Sequence, residues 1–248
     1  MFVISIVITA HAEGSLLNSA MESALRNKKE AENSFPVKVD LYVLLDSATE
    51  ETRDVAQKFP DVFNVIEAGF GDLAKARNHA VEVVSRGYVA FLDGDDIFCD
   101  SWIRACIQKL VKDGRRDDEL FVYHPEINFN FGVRSPKSEL VFRQIGSDNP
   151  EFQLTTLALR NHWSALSFAP KAVFEKVPYI SNSIADGYGF EDWTFNIQCL
   201  ERGISHQIVP ETVHFLREKP RKSSLRKKSA KSQLWHYPSK LWSKYYGE

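Results

Sequence analysis

Apolar runs alternate with amphipathic segments through the first half of the sequence. The runs 2–8, 39–45, 62–67 and 88–92 are short and rich in aliphatic, largely β-branched residues, which predicts buried strands. Apolar residues at helical spacing predict helices over 15–26, 47–59, 72–85 and 101–111. The second helix is expected to begin at a capping box formed by Ser47 and Glu50. Strands separated by helices indicate βαβ units and a mostly parallel sheet.

The second half of the sequence has a different pattern. Segments 119–123, 126–131 and 139–144 predict strands at hairpin spacing, and segments 204–209 and 212–216 predict two more short strands. A helix is predicted over 190–202, directly after the turn Gly187-Tyr188-Gly189. The two halves together predict an α/β fold: a Rossmann-like nucleotide-binding domain with a mixed, mostly parallel sheet flanked by helices.

Composition places the chain among ordinary folded proteins. The 248 residues are 44% hydrophobic and 26% charged, which argues against a disordered chain. No apolar run reaches the roughly 18 residues that a bilayer-spanning helix needs, and the N-terminal run lacks the basic flank of a signal peptide. Cys99, Cys106 and Cys199 have no CxxC spacing and indicate free thiols in a reducing compartment. A cytoplasmic location is therefore expected.

The charge is distributed unevenly along the chain. Residues 214–248 contain ten Lys or Arg and two Glu, a net charge of +8, so residues 1–213 carry −10 of the total of −2. A basic tail on an acidic body suits a phosphate ligand, an anionic membrane surface or solubility. Aromatic residues follow the basic ones, as at membrane interfaces, and packing of this aromatic end on the body is the alternative. The acidic body, which carries no recognition motif, disfavours nucleic-acid binding.

Three carboxylates crowd the end of the fourth predicted strand, in Asp93-Gly94-Asp95-Asp96. Such charges repel one another unless a cation neutralises them, and Mg²⁺ or Mn²⁺ prefers oxygen ligands that it can share with substrate phosphates. Gly94 lets the backbone turn without a side chain in the way. The buried strand before the cluster favours a metal site over the alternative, an acidic turn that caps the next helix.

Other polar residues can carry chemistry, each with a simpler alternative. Glu191-Asp192 lies at a predicted helix start, where a carboxylate can act as a general base or only stabilise the helix terminus. His214 can complete a metal site and the Arg, Lys and Ser residues after it can bind a diphosphate, unless they are a structural histidine and a solvated tail. Lys75 and Arg77 can face an anion or ribose hydroxyls, or remain solvated surface.

In their order along the chain, these segments resemble the family 2 glycosyltransferases of the GT-A fold, which are inverting and depend on a nucleotide sugar. Those enzymes have a polar loop after the first strand, an Asp after the second, an Ala-Arg-Asn motif, an Asp-x-Asp-Asp turn, a Glu-Asp-Trp motif and a late His/Arg/Ser segment. The matching positions, over residues 2–224, are Thr9–Glu13, Asp46, Ala76-Arg77-Asn78, Asp93–Asp96, Glu191-Asp192-Trp193 and His214–Ser224. Each motif is weak alone, and the ordered set is more specific than its parts.

The resemblance implies a role for each of these positions. Asp192 is expected to be the catalytic base, with Glu191 orienting the acceptor or the base. Asp95 and His214 are expected to bind Mn²⁺ or Mg²⁺. The nucleoside-diphosphate sugar, with a UDP-sugar favoured, is expected to contact Thr9, Ala10, Glu13, Asp46, Asp72, Lys75, Arg77, Asp93, Gly94, Arg217, Arg221 and Ser224.

The resemblance also implies a domain plan and a setting. Residues 1–224 are expected to form the glycosyltransferase domain, with a nucleotide-binding half (1–118) and an acceptor-binding half (119–224), followed by a basic and aromatic tail (225–248). The acceptor is expected to be a glycan or a lipid-linked glycan in bacterial surface polysaccharide synthesis, with the tail against the inner face of the plasma membrane. Two alternatives are a non-catalytic GT-A-like module that binds nucleotide or glycan, and a nucleotidyltransferase. The loop after the first strand holds one glycine and no Lys or Arg, which disfavours the latter.

Overall fold

All named strands of the structure belong to one mixed sheet. The computed structural model describes residues 2–116, 118–132, 141–218 and 235–242. The strands in this part of the chain are β1 (Phe2–Ala10), β2 (Val37–Asp46), β3 (Phe63–Ala68), β4 (Tyr88–Asp93), β5 (Ile97–Phe98), β6 (Phe121–Gly132), β7 (Val141–Arg143), β8 (Ser167–Pro170) and β9 (Ser205–Glu218). The α-helices are α1 (Leu17–Ser34), α2 (Glu50–Ala56), α3 (Leu73–Val83), α4 (Trp102–Lys112), α5 (Lys171–Lys176) and α6 (Glu191–Glu201).

The sheet has a parallel half and a half with antiparallel members. Its strand order is β3-β2-β1-β4-β8-β6-β9-β5, and β7 pairs with β6. β1 runs parallel to β2 and β4, whereas β8 is antiparallel to both β4 and β6. The register sets Thr9 beside Asp93 and Ala10 beside Leu45, so β1, β2 and β4 end at one edge, where such sheets bind ligands. The predicted α/β fold, with a mixed and mostly parallel sheet flanked by helices, is confirmed.

Helices cover both faces of the parallel half. Ile4, Ile6 and Ile8 of β1 share a core cluster with residues of α1 and α4, whereas Val7 belongs to the cluster that contains residues of α3 and α5. This alternation follows from the two-residue period of a strand. All four side chains are fully buried. Each contributes about 1.5–3 kcal/mol by leaving water, so the core holds the ends of the strands in place.

Helix α2 does not begin at the predicted capping box. Its N-cap is Thr49, whose hydroxyl accepts the backbone N–H of Thr52 at 3.4 Å. Ser47 has a positive φ of +50°, and its N–H donates to the Ala68 carbonyl at 2.8 Å. The capping-box prediction is wrong because Ser47 ties the end of β2 to the end of β3. Helix α3 begins after Asp72, which accepts the Lys75 N–H at 2.9 Å.

Several other elements differ from the sequence prediction. Helix α1 continues to Ser34, and the segments predicted as two strands over 119–131 form the single strand β6, with an irregularity between Pro125 and Ile127. Segments 204–209 and 212–216 likewise join in β9. The sequence pattern does not predict β5, β8 or α5, each of which is two to six residues long. Among the helices described, none combines the length and the hydropathy needed to cross a membrane.

Candidate active site

The acidic turn after β4 lies directly against the end of β1. Asp93 is the last residue of β4, and the Gly94 N–H donates to the Thr9 carbonyl at 2.8 Å. A Cβ atom at position 94 would lie 2.8 Å from that carbonyl oxygen and 3.2 Å from the Ala10 Cβ. Only glycine therefore allows this turn to approach β1 so closely. Strand β5 then pairs with β9, which places the turn between the end of β1 and the end of β9.

Arg77 joins the acidic turn to the start of helix α6. Its side chain is fully buried, and Nη2 donates to Asp93 Oδ1 at 2.8 Å while Nη1 donates to Glu191 Oε1 at 3.2 Å. The guanidinium carbon also lies 5.2 Å from the centroid of the Tyr179 ring, within cation–π range. Thr9 Oγ1 donates to the same Asp93 oxygen at 3.2 Å. One buried cation thus brings together two carboxylates from the two halves of the chain.

These contacts set the protonation of the acids. Burial works against ionisation of Asp93, but the charge and hydrogen bond of Arg77 outweigh it and hold the Asp93 pKa below its ordinary value. Burial also works against the Arg77 cation, yet Asp93 and Glu191 are among the groups that raise its pKa. At Asp192, burial and then the charge of Glu191 raise the pKa to about 7. Asp93 is therefore ionised at neutral pH, while Asp192 gains and loses a proton near pH 7.

Asp192 is held in place by polar side chains. It is half-buried in the first turn of α6, and its Oδ2 accepts from Asn161 Nδ2 at 3.1 Å. Asn161 is held in turn by Asn196, whose Nδ2 donates to Asn161 Oδ1 at 3.0 Å. On the neighbouring residue, Glu191 Oε2 accepts from Asn182 Nδ2 at 3.1 Å. A fixed, half-buried carboxylate with a pKa near 7 has the properties of a general base.

The Asp46 carboxylate accepts hydrogen bonds from the backbone of the loop that follows β3. Its Oδ1 accepts the backbone N–H groups of Phe70 and Gly71 at 2.6 and 3.0 Å, and its Oδ2 accepts the Asp72 N–H at 3.0 Å. The Asp46 carbonyl lies 2.7 Å from His11 Nδ1. The carboxylate therefore shapes the loop between β3 and α3. Contact of Asp46 with a nucleobase or ribose remains a prediction.

Asp96 and His214 form a buried pair that joins the acidic turn to β9. His214 Nε2 lies 2.9 Å from Asp96 Oδ2, and both side chains are almost completely buried. Asp96 Oδ1 also accepts the Arg217 N–H at 2.8 Å, and Arg217 Nε donates to the Asp95 carbonyl at 2.8 Å. Arg217 is thus attached to the acidic turn through two of its nitrogen atoms.

The described residues do not contain a preformed metal site. Across these residues, no group of three or more His, Cys, Asp and Glu side chains is arranged to hold a metal ion. The second ring nitrogen of His214 lies 3.2 Å from both Asn128 Oδ1 and Ser164 Oγ, so both nitrogens face protein groups. The metal-binding roles of Asp95 and His214 remain predictions.

The other residues predicted to contact the nucleoside-diphosphate sugar lie around the same edge of the sheet. Thr9 and Ala10 are buried at the end of β1, Glu13 is half-buried in the following loop, and Lys75 is exposed on α3. Arg221 and Ser224 lie outside the described residues. The sequence pattern did not predict that Asn161, Asn182 and Tyr179 belong to the site. Single polar or aromatic residues in loops form no local sequence pattern that indicates a function. Only the folded chain brings Tyr179 to Arg77, Asn182 to Glu191 and Asn161 to Asp192.

A parallel half, antiparallel strands beside it and an acidic turn at their shared edge are the features of the GT-A fold. The chain matches Glycosyl transferase family 2 over residues 5–172, which is more than half of its length, and it belongs to that family. The predicted family and the predicted enzyme class are thereby confirmed. No functionally curated protein shows significant similarity to the chain.

Solved structures of S. aureus TarS share this fold. The complex of TarS 1–349 with UDP-GlcNAc has a TM-score of 0.64 at 12% identity, covering 89% of this chain and 59% of that one. The complex with UDP has a TM-score of 0.61 at 14% identity, covering 89% of this chain and 62% of that one. The chain therefore spans about three fifths of the length of these TarS chains, 59% in one structure and 62% in the other. At this level of identity the likeness shows a common fold.

Proposed function

We propose that this chain transfers a sugar from a nucleoside-diphosphate sugar to an acceptor hydroxyl, with inversion at the anomeric carbon. The observation that carries the proposal is the bridge from Asp93 through Arg77 to Glu191, which links the acidic turn to the residue directly before Asp192. A UDP-sugar is the favoured donor, because TarS 1–349 has been solved with UDP-GlcNAc and with UDP.

The donor is assigned to the edge formed by β1, β2 and β4. Thr9, Ala10, Glu13 and Asp46 are proposed to contact the base and ribose, and Asp93 with Gly94 the ribose or sugar hydroxyls. Arg77 is fully buried, so its influence on the donor passes through Asp93. Asp72 and Lys75 border the nucleotide at the start of α3. Arg217, Arg221 and Ser224 are proposed to stabilise the negative charge that grows on the departing diphosphate.

Asp192 is proposed to be the base of the reaction. Its carboxylate takes the proton of the acceptor hydroxyl while that oxygen forms a bond to the anomeric carbon, and the bond from this carbon to the diphosphate breaks. No covalent bond forms between sugar and protein, so one displacement inverts the configuration. Glu191 is proposed to orient the acceptor or the base. Arg77 and Asn182 each donate to one of its two carboxylate oxygens, so its side chain is held in one position. Fixing two substrates beside each other supplies much of the remaining rate.

Mn²⁺ or Mg²⁺ is the proposed cofactor. The acidic turn supplies the carboxylate chemistry that such ions prefer, and Asp95 with donor phosphate oxygens would hold the ion. His214 fits this role less well, since using either ring nitrogen would disturb its contact with Asp96 or with Asn128 and Ser164. When bound, the ion would neutralise charge on the leaving diphosphate.

The acceptor is proposed to be a glycan or a lipid-linked glycan in surface polysaccharide synthesis. The basic residues that follow His214 would suit an anionic membrane surface, where a lipid-linked acceptor resides. Contact of this region with the inner face of the plasma membrane is therefore part of the proposal.

Binding of a panel of UDP-, GDP- and dTDP-sugars to the full chain, with Mn²⁺ and then with EDTA, tests the donor assignment. We expect one donor to be selected and its binding to weaken when the metal is removed. Asp95→Ala should abolish the response to metal. Asp118→Ala, at an exposed ion pair, is the matched control and should respond as wild type. If no donor binds under any condition, a non-catalytic glycan-binding module becomes the better interpretation.

A further inference from the structure

A short C-terminal segment, residues 235–242, packs against the loop that leads to Asp192. We call it the C-terminal strap. The Trp235 N–H donates to the Gly187 carbonyl at 2.9 Å, and the Gly189 N–H donates to the Trp235 carbonyl at 2.8 Å. These two hydrogen bonds join Trp235 to both ends of the turn Gly187-Tyr188-Gly189, which comes just before α6. The strap is thus joined to the backbone three residues before Asp192.

Tyr237 contacts the chain on both sides of Asp192. Its hydroxyl donates to the Ser181 carbonyl at 3.1 Å, at the start of the loop between 181 and 190, and its N–H donates to Thr194 Oγ1 at 3.3 Å, inside α6. Its ring stacks on Tyr188, with centroids 4.4 Å apart. One residue therefore connects the beginning of the loop, its middle and the helix that follows.

The far end of the strap is anchored at the other end of α6. The Ser239 hydroxyl and the Lys240 N–H both donate to Glu201 Oε1, at 2.5 and 2.6 Å. Trp242 is buried in the apolar cluster that contains Trp163 and Trp193. The strap therefore follows helix α6 from its first turn to its last.

The loop between 181 and 190 needs support from outside itself. Its regular structure is limited to the 3₁₀ turn Ile184–Asp186, and Phe190, just before α6, has a φ of +60°, which is unfavourable for a bulky residue. Asn182, which holds Glu191, lies in the same loop. Backbone conformations of this kind persist only where the surrounding structure holds them.

We propose that the C-terminal strap is a positioning element for sugar transfer, which holds loop 181–190 and the first turn of α6 so that Glu191 and Asp192 face the bound donor. The proposal rests on the proposed role of Asp192 as the base. The strap hydrogen bonds named above fall on residues 181–201, so loss of the strap should impair transfer more than donor binding. Tyr237 is accordingly a positioning residue.

Steady-state kinetics of full-length Tyr237→Ala and Tyr237→Phe test the proposal. We expect kcat for transfer to fall roughly tenfold or more in Tyr237→Ala and less in Tyr237→Phe, because small misplacement of a reacting group is costly in rate. The Kd for the donor should change by less than about twofold in both variants, a split that general destabilisation would not give. Tyr42→Phe, a half-buried tyrosine of β2, is the control and should leave kcat unchanged. Wild-type kcat in both Tyr237 variants, or a parallel loss of donor binding, would overturn the proposal.

Amide hydrogen exchange gives a test that needs no substrate. In Tyr237→Ala, residues 181–194 should exchange at least severalfold faster than in wild type, while α3 remains as protected as before. Unchanged exchange in this range would exclude the strap as a support for the loop. A separate result would contradict the proposed function itself. If Asp192 is not the base, Asp192→Asn should keep its transfer activity, whether or not kcat falls in the Tyr237 variants.

Discussion

At the scale of single residues, Arg77 decides how closely the acids of the site can approach one another. Its guanidinium is buried between Asp93 and Glu191, which come from β4 and α6. Removing a cation from water costs several kcal/mol, and two nearby carboxylates offset much of this cost. Without the cation, these two partly buried carboxylates would lose the positive charge that both of them contact. Arg77 is therefore the residue that makes the juxtaposition of the two motifs stable.

Replacement of Arg77 should be strongly destabilising. We expect Arg77→Met to lower the free energy of unfolding by about 3–5 kcal/mol, because it removes a fully buried cation and leaves two partly buried acids without their partner. Arg116→Met is the matched control: its side chain is 73% exposed and the change should stay within about 0.5 kcal/mol. Urea denaturation followed by circular dichroism measures both values. A loss below about 1 kcal/mol in Arg77→Met would contradict this account of the site.

The pKa of Asp192 predicts how transfer depends on pH. Because burial and Glu191 raise this pKa to about 7, the carboxylate form disappears as the pH falls below that value. We expect kcat/KM to rise with pH up to about 7 and then to level off. Glu191→Gln removes a neighbouring negative charge, so it should lower the Asp192 pKa and move the acidic limb to lower pH by roughly one unit.

A set of pH–rate profiles for wild type, Glu191→Gln and Asp192→Asn checks this prediction. Asp192→Asn should lose transfer at every pH and still bind the donor. An unchanged acidic limb in Glu191→Gln would show that a different group titrates.

At the scale of elements, the site depends on how closely the end of β4 approaches the end of β1. The Gly94 N–H and the Thr9 carbonyl continue the pairing of these strands into the acidic turn. On the acceptor side, α6 begins after a residue with positive φ and is held by Asn182, Asn161 and the C-terminal strap. Loops shaped by a rigid sheet and by long-range contacts thus present both sets of acids.

Gly94→Ala should test the close approach of the turn to β1. The added Cβ would meet the Thr9 carbonyl oxygen at 2.8 Å, so the turn must move away at a cost of about 1–3 kcal/mol. Gly69→Ala is the control, since nothing lies within 4 Å of a Cβ built there. We expect a lower melting temperature and weaker donor binding for Gly94→Ala alone. Equal behaviour of the two variants would contradict the packing described for the turn.

At the scale of the whole molecule, charge divides the chain. Residues 1–213 carry a net −10 and residues 214–248 a net +8, while the aromatic residues of the strap pack on the body. In the sequence, the basic residues 219–231 lie between β9 and the strap, two elements that both belong to the body. This arrangement supports the proposal that they contact an anionic membrane while the strap supports α6.

Vesicle flotation tests the membrane contact. The full chain should float with vesicles that contain anionic lipid and not with neutral vesicles. Combined replacement of Arg226, Lys227 and Lys228 by Gln should weaken binding by about 3 kcal/mol, at about 1 kcal/mol per charge. The control is the same replacement at three exposed lysines of the body, Lys29, Lys58 and Lys112, which should float as wild type does. Equal recovery of both triple variants would exclude the basic segment as the membrane contact.

Much of the parallel half could be predicted from the sequence. Strands β1 to β4 and helices α3 and α4 fall close to their predicted places, and α1 begins near its predicted start, because a buried strand or an amphipathic helix is recognisable from a local pattern. The positions of Asp93 and Glu191-Asp192, at a strand end and a helix start, are local in the same sense. The ordered motifs were also sufficient to predict the family, which the match over residues 5–172 confirms.

The local sequence pattern specifies strands β1 to β4, helices α3, α4 and α6, the order of the acidic motifs and the family to which they belong. The tertiary structure alone decided that β8 pairs with β4 and β6, that Ser47 gives up its capping role to Thr49, and that Arg77 is buried between Asp93 and Glu191. It also decided that the strap packs along α6. The physical reason is that these contacts join residues far apart in the chain. Their partners, burial and pKa values exist only once the sheet order has brought them together.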